Sequence, residues 1–147
     1  MPGKSYWELT PKQSIELECA RRGRTQVIAG CIRLLRGQEV DDELMVALAG
    51  PMAEGLLDAG LPQVHRYWLR VWGARGLLHV YGDEAEDSVI AALADQHWRV
   101  REMAAKVVAR HQVGAALTAV AELRGDPVAR VRAAAGRATI ILTAAGR

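Results

Sequence analysis

Four histidines, two cysteines and a recurring column of arginines are the side chains in this 147-residue chain whose types and spacing could do chemistry. His65 and His79, like His97 and His111, lie fourteen residues apart. On a helix this returns each pair to nearly one stripe but separates its members by about 21 Å, too far for one ion to bridge. Cys19 and Cys31 belong to no CxxC or Cys/His cluster and each sits in an apolar helical pattern, so both are expected to be buried thiols in a reducing compartment. Ser5, Ser14 and Ser88 are the only serines, and none stands in a G-x-S-x-G turn. No phosphate-cradling glycine loop follows a strand, because no segment reads as a strand. The expectation is a non-catalytic chain with no metal and no cofactor.

The arginine column is Arg70/Arg101/Arg132, which emerges when the sequence is laid over itself at an offset of 31 residues. The same offset aligns Tyr67/Trp98/Ala129, Leu69/Val100/Val131, Trp72/Met103/Ala134, Gly73/Ala104/Ala135 and Arg75/Lys106/Arg137. Within one copy, positions 69, 72, 73, 76, 77 and 80 follow i, i+3, i+4, i+7, i+8, i+11, the single apolar face of an α-helix. The small column at 73, 104 and 135 implies close approach by a neighbouring helix. Between the copies, "DEAEDSVIAALAD" and "VGAALTAVAELRGD" carry shorter apolar stripes of their own, so the repeating unit is a pair of helices. Such a pair cannot bury its stripes alone, and consecutive pairs are expected to stack with a continuous core.

Boundary residues fit this unit. Asp83 with Glu86 reads as a capping box, Asp95 precedes a helix beginning near 97, and Asp126-Pro127 reads as an N-cap followed by proline at the first helical position. Thr10-Pro11-Lys12-Gln13 starts an earlier helix in the same way, and Gly23 and Gly37 stand near the ends of two N-terminal helices. "VDDELMVALAGPMAEGLLDAG" reads as a truncated pair broken at Gly50-Pro51.

"DQHWRVREMAAKVVARH" and "DPVARVRAAAGRATIIL" resemble HEAT-like repeats, whose first helix opens with Asp, then a Val-Arg pair and a run of Ala. Asp95 with Val100-Arg101 and Asp126 with Val131-Arg132 carry the match, while the copy with Leu69-Arg70 has Val64 where the Asp would stand. The resemblance is strongest over residues 64–147. It implies an all-α fold, a short right-handed α-α superhelix of four to five helix pairs. The single domain would comprise a hairpin over 1–37, a degenerate pair over 38–63 and repeats over 64–147. It also implies that Arg70, Asp95, Arg101, Asp126 and Arg132 serve as a structural polar ladder between stacked repeats.

Net charge is +2, yet residues 1–60 carry seven basic and nine acidic side chains and residues 97–147 nine basic and three acidic. A basic third fits nucleic acid or an acidic protein surface. The nucleic-acid candidates are Arg99, Lys106, Arg110, Arg130 and Arg137, an alternative with precedent in HEAT-like alkylpurine DNA glycosylases. These side chains fall on first helices, whereas second helices line the concave face of such solenoids and here present Ala91, Ala115, Thr118 and Glu122. The favoured expectation is therefore a protein-binding or scaffolding module that uses those four positions, with Trp68 either covered or an exposed anchor. Ile140, Ile141 and Leu142 are consecutive and apolar, which makes the C-terminal helix, read as 127–144, either a homodimer or docking edge or a simple cap. No membrane-length apolar run and no signal peptide are evident, and the expected compartment is cytoplasmic.

Overall fold

A computed structural model describes residues 9–50 and 65–146. The described residues are helical, with no strand among them, and they divide into two compact units, Met1–Val80 and Tyr81–Arg147. The repeat boundary expected at 63/64, Pro51 and the segment "PMAEGLLDAG" lie outside the described residues.

In the N-terminal unit, α1 spans Pro11–Arg22, α2 Arg24–Leu35, α3 Asp42–Ala49 and α4 Tyr67–His79. The start of α1 follows from local chemistry. Thr10 Oγ1 accepts from the Gln13 amide at 3.2 Å, and the Gln13 side chain accepts from the Thr10 amide at 3.0 Å, closing a capping box around Pro11. Gly23, at φ 96°, ends α1 in backbone that other residues rarely adopt and lets α2 begin at once. Asp41 caps α3 by accepting from the Leu44 amide at 3.0 Å, and its carboxylate also receives Arg22 at 2.6 and 2.9 Å. Those Arg22 hydrogen bonds, with the Leu44 amide, hold the Asp41 carboxyl down at about 2.

The core of this unit contains Ile15, Val27, Ile28, Cys31, Leu34, Leu44, Met45, Leu48, Leu69, Trp72 and Leu77. Burying each such aliphatic side chain contributes about 1.5–3 kcal/mol. Helix α4 departs from the single-faced expectation. The stripe at 69, 72, 73, 76, 77 and 80 is buried, but so are Val71 and Ala74, because α2 and α3 both pack on this helix. Gly73 explains how close α2 comes. A Cβ at that position would stand 2.7 Å from the Cys31 carbonyl oxygen and 2.9 Å from Leu34 Cβ.

In the C-terminal unit, α5 spans Glu86–Ala92, α6 Trp98–His111, α7 Leu117–Glu122 and α8 Ala129–Ala145. Short 3-10 turns at Asp83–Ala85, Gly114–Ala116 and Leu123–Gly125 flank α5 and α7. Helix α6 packs mainly against α8, with α5 beside α6 and α7 beside α8. Ala104 and Ala135, the counterparts of Gly73, are both buried.

Three boundary expectations need correction. Asp83 lies inside a 3-10 turn preceded by Gly82 and makes no side-chain cap. Helix α6 starts at Trp98, and its capping side chain is His97, whose Nδ1 accepts from the Arg99 amide at 3.1 Å. Helix α8 starts at Ala129, so Pro127 stands outside it and the N-cap position falls on Val128. The physical reason is shared by both copies: Asp95 Oδ1 accepts from the His97 amide at 2.8 Å and Asp126 Oδ1 from the Val128 amide at 2.9 Å. Each aspartate thus closes a turn two residues ahead of itself, and the helix begins only after that turn.

Candidate interaction surface

In the C-terminal unit, Arg101 links α6 to Asp126 in the turn before α8. Arg101 donates from Nε to Asp126 Oδ2 at 2.8 Å and from Nη2 to Asp126 Oδ1 at 3.2 Å, a bidentate pair whose side chains are 14% and 4% exposed. Its Nη1 reaches back to the carbonyl oxygens of Asp95 and Gln96, at 2.8 and 3.1 Å. The upstream aspartate of the same copy therefore supplies a backbone oxygen to Arg101, and the carboxylate arrives from the next copy. Arg132 repeats the backbone half, donating from Nη1 to the Asp126 carbonyl at 2.7 Å. Arg70, on α4, is half-buried. Burial alone would raise the Asp126 carboxyl, but the Arg101 guanidinium and the Val128 amide outweigh it, and the carboxyl sits below its ordinary range.

Beside this pair lies a cluster that the sequence reading did not identify. Glu102 is 7% exposed and accepts from Arg130 Nε at 2.8 Å and Nη2 at 3.2 Å, with Lys106 Nζ 3.9 Å away. The Trp98 ring carries the Arg99 guanidinium 4.5 Å from its centroid and that of Arg130 at 5.3 Å, and His97 stacks alongside at 6.1 Å. A signal for Glu102 was present: its column reads Val71/Glu102/Ala133, an acid in an otherwise uncharged position.

These contacts sort the five nucleic-acid candidates. Arg130 and Lys106 face the Glu102 carboxylate, and Arg99 and Arg130 lie over Trp98. Arg110 and Arg137 are exposed. The Arg75/Lys106/Arg137 column does not share one environment, since Arg75 donates to the Leu48 carbonyl at 2.6 Å and has its Nε buried. Desolvation lowers the pKa of Arg75.

The four positions expected on second helices, Ala91, Ala115, Thr118 and Glu122, are all exposed, as is Leu117 between them. Trp68 is half-buried, its ring 5.2 Å from Tyr67 and 6.5 Å from Trp72. On α8, Ile140 and Ile141 are exposed while Leu142 is buried. A further aromatic contact pairs Tyr81 with His111, rings 4.6 Å apart and 11° from parallel. Burial, then the nearby Glu86, Asp83 and Glu84 charges, keeps the Tyr81 phenol above its usual value.

Both cysteines are free thiols. Burial pushes Cys31 up to about 12 and also raises Cys19. Among the described residues, no group of three His, Cys, Asp or Glu side chains gathers as a metal cluster, and no helix is long and apolar enough to cross a membrane. Comparison of the chain with protein-family models, curated proteins and solved structures finds no match.

Proposed function

We propose that this chain is a non-catalytic protein-binding module built of HEAT-like helix pairs, stacked as a short right-handed superhelix. On this reading the binding face of the C-terminal unit is presented by α5, the Gly114–Ala116 turn and α7, through Ala91, Ala115, Thr118 and Glu122. The observation that carries it is the division of labour among side chains. Charged groups of α6 and α8 hold helices in register, whereas α5 and α7 leave small and polar side chains open to solvent. A face of alanines with a few polar points gives contact area without a pocket, as repeat proteins use it. Trp68 belongs to the other unit and is a separate candidate anchor.

Pairing to Glu102 and stacking on Trp98 weaken the competing nucleic-acid reading, because cations already matched to a carboxylate release fewer counterions on meeting phosphate. The test is affinity purification from native lysate, with nuclease-treated and untreated samples run beside a Thr118→Arg variant. Retention of the same proteins after nuclease treatment, and their loss with Thr118→Arg, is the expected result. Recovery of nucleic acid alone, or capture indifferent to Thr118→Arg, overturns the proposal.

A further inference from the structure

Arg101 and Arg132 hold the same posture one copy apart. Each fixes Nη1 on the carbonyl oxygen of the aspartate six residues upstream, at 2.8 Å for Arg101 and 2.7 Å for Arg132. With that corner held, the Nε/Nη2 edge of Arg101 clamps the carboxylate of Asp126, the residue that leads into α8. The matching edge of Arg132 makes no hydrogen bond or ion pair with a carboxylate among the described residues, its charge reaching Asp126 only through space, and the side chain is exposed.

The helix face beside it is open in the same sense. On α6, Glu102 and Ala105 are buried and Ala109 half-buried, and α6 packs on α8. The aligned positions on α8 are Ala133, exposed, Gly136, where a Cβ would meet nothing within 4 Å, and Ile140, 70% exposed. Exposed Arg137 stands between Gly136 and Ile140, and Ala129–Ala145 contains no acidic residue. A second copy of α8 would bring arginine toward arginine here, and a cationic partner would meet the same repulsion.

We propose that Arg132 is a carboxylate-receiving site, and that the α8 face through Ala133, Gly136, Arg137 and Ile140 docks an acidic amphipathic helix of a partner protein. An aspartate at the start of that helix takes the place at Arg132 that Asp126 takes at Arg101. Apolar side chains of its stripe cover Gly136 and Ile140, and a carboxylate further along meets Arg137. This surface is distinct from the one on α5 and α7, and either stands if the other fails.

The test is fluorescence anisotropy of the full chain with a labelled synthetic helix of about 20 residues, long enough to hold helical structure. The peptide opens with Asp-Pro, carries leucines at i, i+3, i+4 and i+7, and has glutamates on its polar side; a twin replaces Asp by Asn and Glu by Gln. Saturable binding of the acidic peptide is expected, with the neutral twin about tenfold weaker, as befits loss of a bidentate charged pair. Arg132→Gln, Arg137→Gln and Ile140→Ser should each weaken it several-fold while Arg124→Gln leaves it unchanged; the far-UV spectrum and melting temperature of each variant establish that it is folded. Equal binding of the two peptides, undiminished affinity in folded Arg132→Gln, or no binding of either peptide overturns the proposal. So does displacement of the peptide by self-association of the chain, or by a short DNA duplex in preference to the free acidic peptide.

Discussion

Arg101 reaches across 25 residues of chain to hold Asp126 with two hydrogen bonds, and in doing so ties α6 to the turn from which α8 starts. The Asp126 carboxyl is depressed relative to its unfolded value. Its ionised form therefore stabilises the fold above about pH 4, and that contribution fades as acid protonates the carboxylate below this range. Asp126→Asn should cost about 3 kcal/mol near neutrality, as expected when one partner of a buried pair is removed. Urea midpoints of the two proteins should converge as pH falls below about 3. A gap that stays constant into acid would show that the charge is not what stabilises the contact.

Two helical glycines should respond in opposite directions to alanine. At Gly73 the new methyl meets the Cys31 carbonyl and Leu34, so Gly73→Ala should destabilise by about 1–3 kcal/mol despite alanine's better helix propensity. At Gly136 it meets open space, so Gly136→Ala should stabilise by about 0.5–1 kcal/mol. Thermal melts of the two variants decide this, and equal shifts would refute the close approach of α2 to α4.

How much of this was legible in the sequence depended on whether the signal was local. The start of α1 could be read from Thr10, Pro11 and Gln13 because a capping box is complete within four residues. The small column at 73, 104 and 135 pointed to buried positions because a missing side chain has few other uses in a helix stripe. The carboxylate partner of Arg101 was harder, since Asp95 and Asp126 are equally suitable acids and only the packing of α6 on α8 selects the second. Glu102 looked like one charged side chain among many, and its burial depends on Arg130 arriving from 28 residues away. Val71 and Ala74 broke the single-face reading because α4 has neighbours on more than one side, a fact of tertiary packing that periodicity within α4 does not carry.

The thiols offer an independent check on the N-terminal core. With Cys31 held at about 12 by burial, its thiolate population near pH 8 is far below that of a free cysteine. A thiol reagent should leave Cys31 untouched in the native protein, modify Cys19 slowly, and label both once denaturant is added. Rapid labelling of both in the native state would mean that the packing of α2 against α4 opens readily.

That successive 31-residue copies are locked to one another through Arg101 and Asp126 is tested most directly by a double-mutant cycle. Arg101→Met, Asp126→Asn and the double variant are each unfolded in urea beside the wild type. A coupling energy above about 1.5 kcal/mol is the expected result. Effects that add to within about 0.5 kcal/mol would contradict it, because residues that do not interact behave in that way.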